Sequence, residues 1–351
     1  MDAIFLAENF FWKSPNKNIY LHSVCLNLTD SFFDMKKPGF PVWLFALLSF
    51  GSLYAQDGNV LPAGVPTDGV HIRDPFVLAD SSDGTYYMYG TTRGDGFDVF
   101  SSRDLETWQG PRAIFQRTPD FWGDQCFWAA ECHAYKGKYY LFATVRGAAD
   151  SLLGTAVFVA DSPKGPFREH SKGRLTPRTW QALDGTLYVD GKGNPWMVFC
   201  HEWTQLGDGT VEAVRLSRDL KKAVGKPATL FRASSAPWVR PHTPGNYVTD
   251  GPFLYRNRKG ELLMLWSSFG DRGYAIGVAR SQSGEVAGPW LQMPEALFAR
   301  DGGHGMLFRT FDGELLLSIH RPNVPPDERP RFFRVEEKAD GSLCLVEKQA
   351  E

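Results

Sequence analysis

RDPFVLADSSDGTYYMYG, running from Arg73 to Gly90, reads as a short strand, a turn and a second, strongly apolar strand. An Asp-Gly pair between apolar runs is hairpin chemistry, because the two residues supply the backbone angles a tight turn requires. The same plan returns four times, as AECHAYKGKYYLFAT from Ala130, LDGTLYVDGKGNPWMVFCH from Leu183, TDGPFLYRNRKGELLMLWSS from Thr249 and GHGMLFRTFDGELLLSIH from Gly303. Four of the segments continue into a further strand and a Ser-containing turn: VFSSRDLETWQGP from Val99, VFVADSPKGPF from Val157, VRLSRDLKKAVGKP from Val214 and VARSQSGEVAGPW from Val278. A period of about 55 residues with about four strands per unit is the pattern of propeller blades. The expected fold is all-β, a five-bladed β-propeller, with residues 57–351 forming one catalytic domain.

Composition agrees with that reading. The 351 residues include 35 Gly and 23 Pro, with 14% aromatics, a heavy load of chain breakers for a helical protein and a natural one for short strands joined by turns. With 38 basic and 40 acidic side chains the net charge is −2, which lacks the basic excess of a nucleic-acid binder. Five cysteines at irregular spacing give neither a disulfide framework nor a CxxC zinc site, so stability rests on the apolar core.

Met35, Lys36 and Lys37 precede an apolar run over 41–53 and a small residue at Ala55, the plan of a secretory signal peptide over 35–56. The run falls short of the roughly 20 residues that span a bilayer, so no membrane span is expected. Residues 1–34 read as a non-native upstream extension, and the mature protein is expected to be secreted or periplasmic.

The first strand of a propeller blade lines the central channel, so residues heading the five repeats meet around one axis. Those residues are Asp74, Glu131, Asp184, Asp250 and His304. A single Asp before Gly is usually a turn former, but turn chemistry gives no reason for a titratable group at the head of all five. Carboxylates crowded in a partly desolvated funnel cannot all ionise, and their pKa values spread apart. One then serves as a base and another keeps its proton as an acid, which is the requirement of glycoside hydrolysis.

The RDPF motif of the first repeat, ALDGTLYVD of the third, TDGPFLY of the fourth and GGHGMLF of the fifth together resemble glycoside hydrolase family 43 over residues 70–320. The resemblance implies five-bladed enzymes that cleave arabinose-, xylose- and galactose-containing plant glycans with inversion. It implies Asp74 as general base, Asp184 as the carboxylate that orients the site and keeps the acid's pKa high, and Asp250 as general acid. It also implies His304 in the central channel beside a calcium ion or water, with no cofactor required for the chemistry. One departure is that the family's acid is usually Glu in E-G-P, whereas here Asp250 heads D-G-P, one methylene shorter. Glu202, in FCHEWTQ, and Glu131 stand as alternative donors.

Sugar C–H faces pack on rings while hydroxyls take hydrogen bonds, which makes Trp128, Trp180, Trp203, Phe269, Arg321 and His71 candidate substrate-binding residues, each with core or rim packing as its plain alternative. The activity the resemblance implies is an α-L-arabinofuranosidase, with β-xylosidase or β-D-galactofuranosidase activity as neighbours, and a funnel closed by one ring of inner strands makes exo action on terminal sugars the expected mode. The competing class is a carbohydrate-binding propeller without catalysis. A protein-interaction propeller has no need of acids aimed down the axis.

Overall fold

The computed structural model describes residues 64–346. The expected extension at 1–34 and signal peptide at 35–56 lie outside the described residues. Five antiparallel sheets follow one another along the chain. Blade 1 holds β1 (Val65–Pro66), β2 (Arg73–Asp80), β3 (Thr85–Thr91), β4 (Gly96–Ser102) and β5 (Thr107–Gln116). Blade 2 holds β6 (Gly123–Tyr135), β7 (Lys138–Gly147), β8 (Leu153–Ala160) and β9 (Arg168–Glu169). Blade 3 holds β10 (Ala182–Val189), β11 (Pro195–His201), β12 (Thr210–Leu216) and β13 (Ala223–Arg232). Blade 4 holds β14 (Asp250–Arg256), β15 (Leu262–Gly270), β16 (Gly273–Ser281) and β17 (Trp290–Gln292). Blade 5 holds β18 (Gly303–Arg309), β19 (Leu315–Arg321), β20 (Arg329–Glu337) and β21 (Leu343–Leu345). The inner strands touch in the cyclic order β2, β6, β10, β14, β18 and back to β2, which makes the arrangement a five-bladed propeller. No helix among the described residues is long and apolar enough to cross a membrane.

Sheets stacked face to face leave their middle strands with no solvated side. That is why the second strands read as continuous apolar runs rather than alternating ones. Along β11 the period of two is visible in the packing: Met197 and Phe199 join the apolar layer shared with blade 2, while Val198 and Cys200 join the layer shared with blade 4. In β15 Leu262, Met264 and Trp266 face blade 3, and Leu263 and Leu265 face blade 5. The outermost full strands β5 and β13 are mostly exposed.

A β-bulge interrupts every inner strand at the same place, between Arg73 and Phe76, Trp128 and Glu131, Leu183 and Thr186, Asp250 and Phe253, and Gly303 and Met306. At each bulge one residue is left-handed: Asp74 (φ 58°), Ala129 (46°), Asp184 (56°), Gly251 (51°) and His304 (47°). These five are the true structural equivalents. Asp74, Asp184 and His304 therefore share a register as expected, whereas Asp250 sits one residue before its blade's bulge residue and Glu131 two residues after.

A bulge takes a backbone N–H out of the ladder, and a buried N–H needs another partner. Four of the five find it on the preceding blade, at the inner end of its second strand. Ala129 N–H donates to Thr91 Oγ1 (2.9 Å), Asp184 N–H to Thr144 Oγ1 (2.9 Å), His304 N–H to Ser267 Oγ (2.9 Å) and Asp74 N–H to His320 Nδ1 (3.2 Å). At the remaining junction the corresponding residue is Cys200, a weak acceptor, and Gly251 N–H donates instead to Asp184 Oδ2 (3.0 Å).

Blades 1 and 5 share no strand, since β1 extends the outer edge of its own blade by pairing with β5. The ring is closed there by side chains: Ser318 Oγ donates to the Pro75 carbonyl (2.8 Å), Arg73 donates to Asn323 Oδ1 (2.7 Å) and Glu328 Oε1 (3.2 Å), and Arg329 donates to the Asp68 carbonyl (3.0 Å). Replacing fully buried Thr144 by the isosteric Val tests the amide ring. Stranding the Asp184 N–H is expected to lower the unfolding free energy in urea by about 1–3 kcal/mol; an unchanged midpoint would mean that the amide does not depend on Thr144.

Candidate active site

Left-handed backbone at a bulge turns a side chain out of the sheet's alternation and toward the axis. Asp74 of β2, Asp184 of β10 and His304 of β18 meet there, with His304 Nδ1 3.4 Å from Asp74 Oδ1 and 3.5 Å from Asp184 Oδ2. All three are more than nine-tenths buried. Gly251 lies against the imidazole face, where an added Cβ would stand 2.7 Å from His304 Cδ2, so a side chain at that position would displace the ring.

The carboxyls are driven in opposite directions. Burial alone would raise Asp74, but His304, Arg73, His320 and the Thr91 hydroxyl, which donates to Oδ2 at 2.9 Å, hold it below the usual carboxylate range. Asp184 is pushed up to about 7 by burial and by the nearby Asp250 and Asp74, against the pull of His304 and the Gly251 N–H. Asp250, at the first residue of β14, is raised by burial although Tyr274 Oη donates to its Oδ2 (2.7 Å). Glu202 follows the end of β11 and is pushed up to about 8 by burial and then by Asp250; its Oε2 accepts from Thr204 Oγ1 at 3.0 Å. His304 is raised, because the surrounding Asp74, Asp184, Glu131 and Asp250 outweigh the burial that opposes its charge. An Asp74 held low thus stands among carboxyls that are all raised, Asp184, Asp250 and Glu202.

Glu131 is buried but occupies a different level. It follows the bulge of β6, and its Oε2 lies 3.1 Å from His133 Nε2. The Phe76 ring is 5.0 Å from His133 and 6.4 Å from Phe253, so these side chains from blades 1, 2 and 4 fill the channel together with the Glu131–His133 pair.

The candidate binding residues divide. Trp128, beside Ala129, is 37% exposed. Trp203 opens a single helical turn, Trp203–Leu206, and meets His242 at 5.6 Å; His242 meets Phe269 at 4.3 Å, Phe269 meets Tyr274 at 5.4 Å, and Tyr274 lies at 5.8 Å from His320. A strip of rings therefore runs from blade 3 across blade 4 to His320 of blade 5, whose Nδ1 meets the Asp74 amide of blade 1. Trp180 stacks on His201 at 4.0 Å. Arg321 donates to the Arg300 carbonyl (2.9 Å), and His71 Nδ1 faces the Pro326 carbonyl (3.1 Å), ties between neighbouring segments that leave both outside the carboxyl cluster. Calcium takes six to eight oxygen ligands, and among the described residues no three His, Cys, Asp or Glu side chains gather as metal ligands.

Tyr274, His320, Thr91 and His242 were not singled out by sequence. A signal existed for two of them, because Thr91 and His320, like Thr144, Cys200 and Ser267, stand at the inner end of a second strand in every repeat.

Known proteins resemble this chain. A structure titled endo-arabinase from Bacteroides thetaiotaomicron superposes with a TM-score of 0.75 at 44% identity, covering 79% of this chain and 98% of its own. The extracellular endo-α-(1→5)-L-arabinanase 1 of Bacillus subtilis is 26% identical over 278 residues, 73% of this chain and 80% of that protein. The extracellular exo-α-(1→5)-L-arabinofuranosidase of Cellvibrio japonicus is 25% identical over 257 residues, 67% and 70% respectively. Residues 66–342 match the glycosyl hydrolases family 43 as a whole, and with its five blades and its carboxyl cluster this chain belongs to that family of glycoside hydrolases.

Proposed function

We propose that the protein is an inverting hydrolase of arabinan-type glycans. The observation that carries the reading is the opposed shift of carboxyls in one buried cluster, Asp74 downward and Asp184, Asp250 and Glu202 upward. Asp74 takes a proton from the water that attacks the anomeric carbon, the glycosidic C–O bond breaks, and a protonated carboxyl gives its proton to the departing oxygen. Arg73 and His304 keep Asp74 ionised for this role, and Asp184, facing Asp250, discourages loss of the donor's proton.

The Bacillus relative is named an endo-α-(1→5)-L-arabinanase, the Cellvibrio relative an exo-α-(1→5)-L-arabinofuranosidase and the Bacteroides structure an endo-arabinase, which supports an arabinan-type substrate. The ring strip through Trp203, His242 and Phe269 offers a bound chain contacts beyond one sugar, which favours attack within a chain over the terminal removal expected from a closed funnel. The relatives' extracellular naming and the apolar run over 41–53 support export of this chain.

On linear α-1,5-arabinan the early products are expected to be oligosaccharides, with β-anomers released first by proton NMR. Asp74→Asn is expected to abolish turnover with folding intact. Arabinose as the sole early product would restore the terminal mode, and an α-anomer or an active Asp74→Asn protein would overturn the mechanism.

Asp250 occupies the family's acid position, and we assign it the proton transfer. A second reading has its own support, since burial and Asp250 push Glu202 up to about 8, while the Tyr274 hydroxyl, His304 and Arg73 oppose the rise of Asp250. Leaving groups separate the two. Asp250→Asn is expected to slow arabinan hydrolysis by about 10²–10⁴-fold but an activated aryl arabinofuranoside by less than about tenfold. If Glu202→Gln shows that selectivity and also loses the alkaline fall in kcat/KM, the proton comes from Glu202.

A further inference from the structure

Three of the five blade junctions satisfy the bulge amide with a plain hydroxyl, from Thr91, Thr144 or Ser267. The junction behind the base does not. There the acceptor is the imidazole of His320, which is fully buried, and its second nitrogen continues the chain of contacts: Nε2 lies 3.1 Å from Asn323 Oδ1. Asn323 Oδ1 also accepts from Arg73 Nη1 (2.7 Å), and Arg73 Nε lies 3.5 Å from Asp74 Oδ1. The contacts close on themselves, from the Asp74 amide through His320, Asn323 and Arg73 back to the Asp74 carboxylate.

The tautomer follows from the partners. A backbone N–H can only donate, so Nδ1 carries a lone pair, and the proton sits on Nε2 where a carbonyl oxygen accepts it. Burial and the neighbouring Arg73 keep the ring neutral, its pKa lowered to about 3. The other face of the imidazole is covered by Tyr274, 21° from parallel, whose hydroxyl holds Asp250. A hydroxyl at this position could accept the amide but could reach neither Asn323 nor the Tyr274 ring.

We propose that His320 is a positioning residue for catalysis, fixing the left-handed backbone of Asp74 and, through the Tyr274 ring, the placement of Asp250 relative to it. This rests on the reading of Asp74 as the base. The energetic logic is that a base displaced by about 1 Å from its line of attack can cost about 10²-fold in rate without altering how substrate binds. The effect therefore belongs in kcat, with KM little changed.

Two replacements separate positioning from packing. His320→Leu fills the volume and lacks an acceptor; His320→Asn offers an acceptor near the place of Nδ1 and leaves a void. On linear arabinan His320→Leu is expected to lower kcat by about 10–100-fold with KM within about twofold, while His320→Asn retains more of kcat although urea unfolding shows it to be the less stable of the two. A wild-type kcat in His320→Leu, or losses that follow stability instead of the acceptor, would overturn the inference. Should His320→Leu not fold, Asn323→Ala interrupts the same circuit from a partly exposed position, and an unchanged kcat there would overturn it equally. An active Asp74→Asn protein would instead sink the underlying assignment of the base, so the two failures are distinguishable.

Discussion

Five backbone amides that the sheets cannot satisfy set the terms for this molecule. Each inner strand must bend toward the axis, and the bulge that bends it leaves one N–H without a ladder partner in a place where water is excluded. The solution is repeated around the ring, the acceptor for each bulge amide coming from the blade before, with Asp184 of the first strand standing in for Cys200 of the second at one junction. The same left-handed residue that creates the need also carries Asp74, Asp184 and His304 to a common point. Fold and chemistry therefore depend on one local conformation.

Crowding acids costs free energy, and the charges around them decide how it is distributed. Arg73 and His304 lie against Asp74, so this carboxylate stays ionised while its neighbours absorb the repulsion as raised pKa values. Buried like charges in a low-dielectric space cannot all persist. One lowered and several raised carboxyls arise together from a single electrostatic imbalance, and Gly251, pressed against the His304 ring, gives the histidine room to sit between Asp74 and Asp184.

The propeller was legible because a period of about 55 residues and continuous apolar second strands follow directly from stacking sheets around an axis. Asp74, Asp184 and His304 were legible for the same reason, since each is the first titratable residue of its repeat and also the bulge residue. Where those two properties part, the reading slipped in register: blade 4 places Gly251 at the bulge and Asp250 before it, and blade 2 places Ala129 there and Glu131 on another level. An inserted residue resets which way every later side chain points, and a sequence does not display that shift. Tyr274 and His320 escaped notice because their roles exist only across blades.

The seam between the first and last blades has no shared strand, and the base stands directly on it. Thermal fluctuation that parts these two blades need melt none of the sheets, only the side-chain bonds and the apolar contacts, such as Tyr86 with Phe308 and Trp108 with Phe332, that join them. Such breathing would carry Asp74 away from His320 while every hairpin remained intact. Heat inactivation is therefore expected to precede denaturation, the power to hydrolyse fading while the β-structure signal still reads as native.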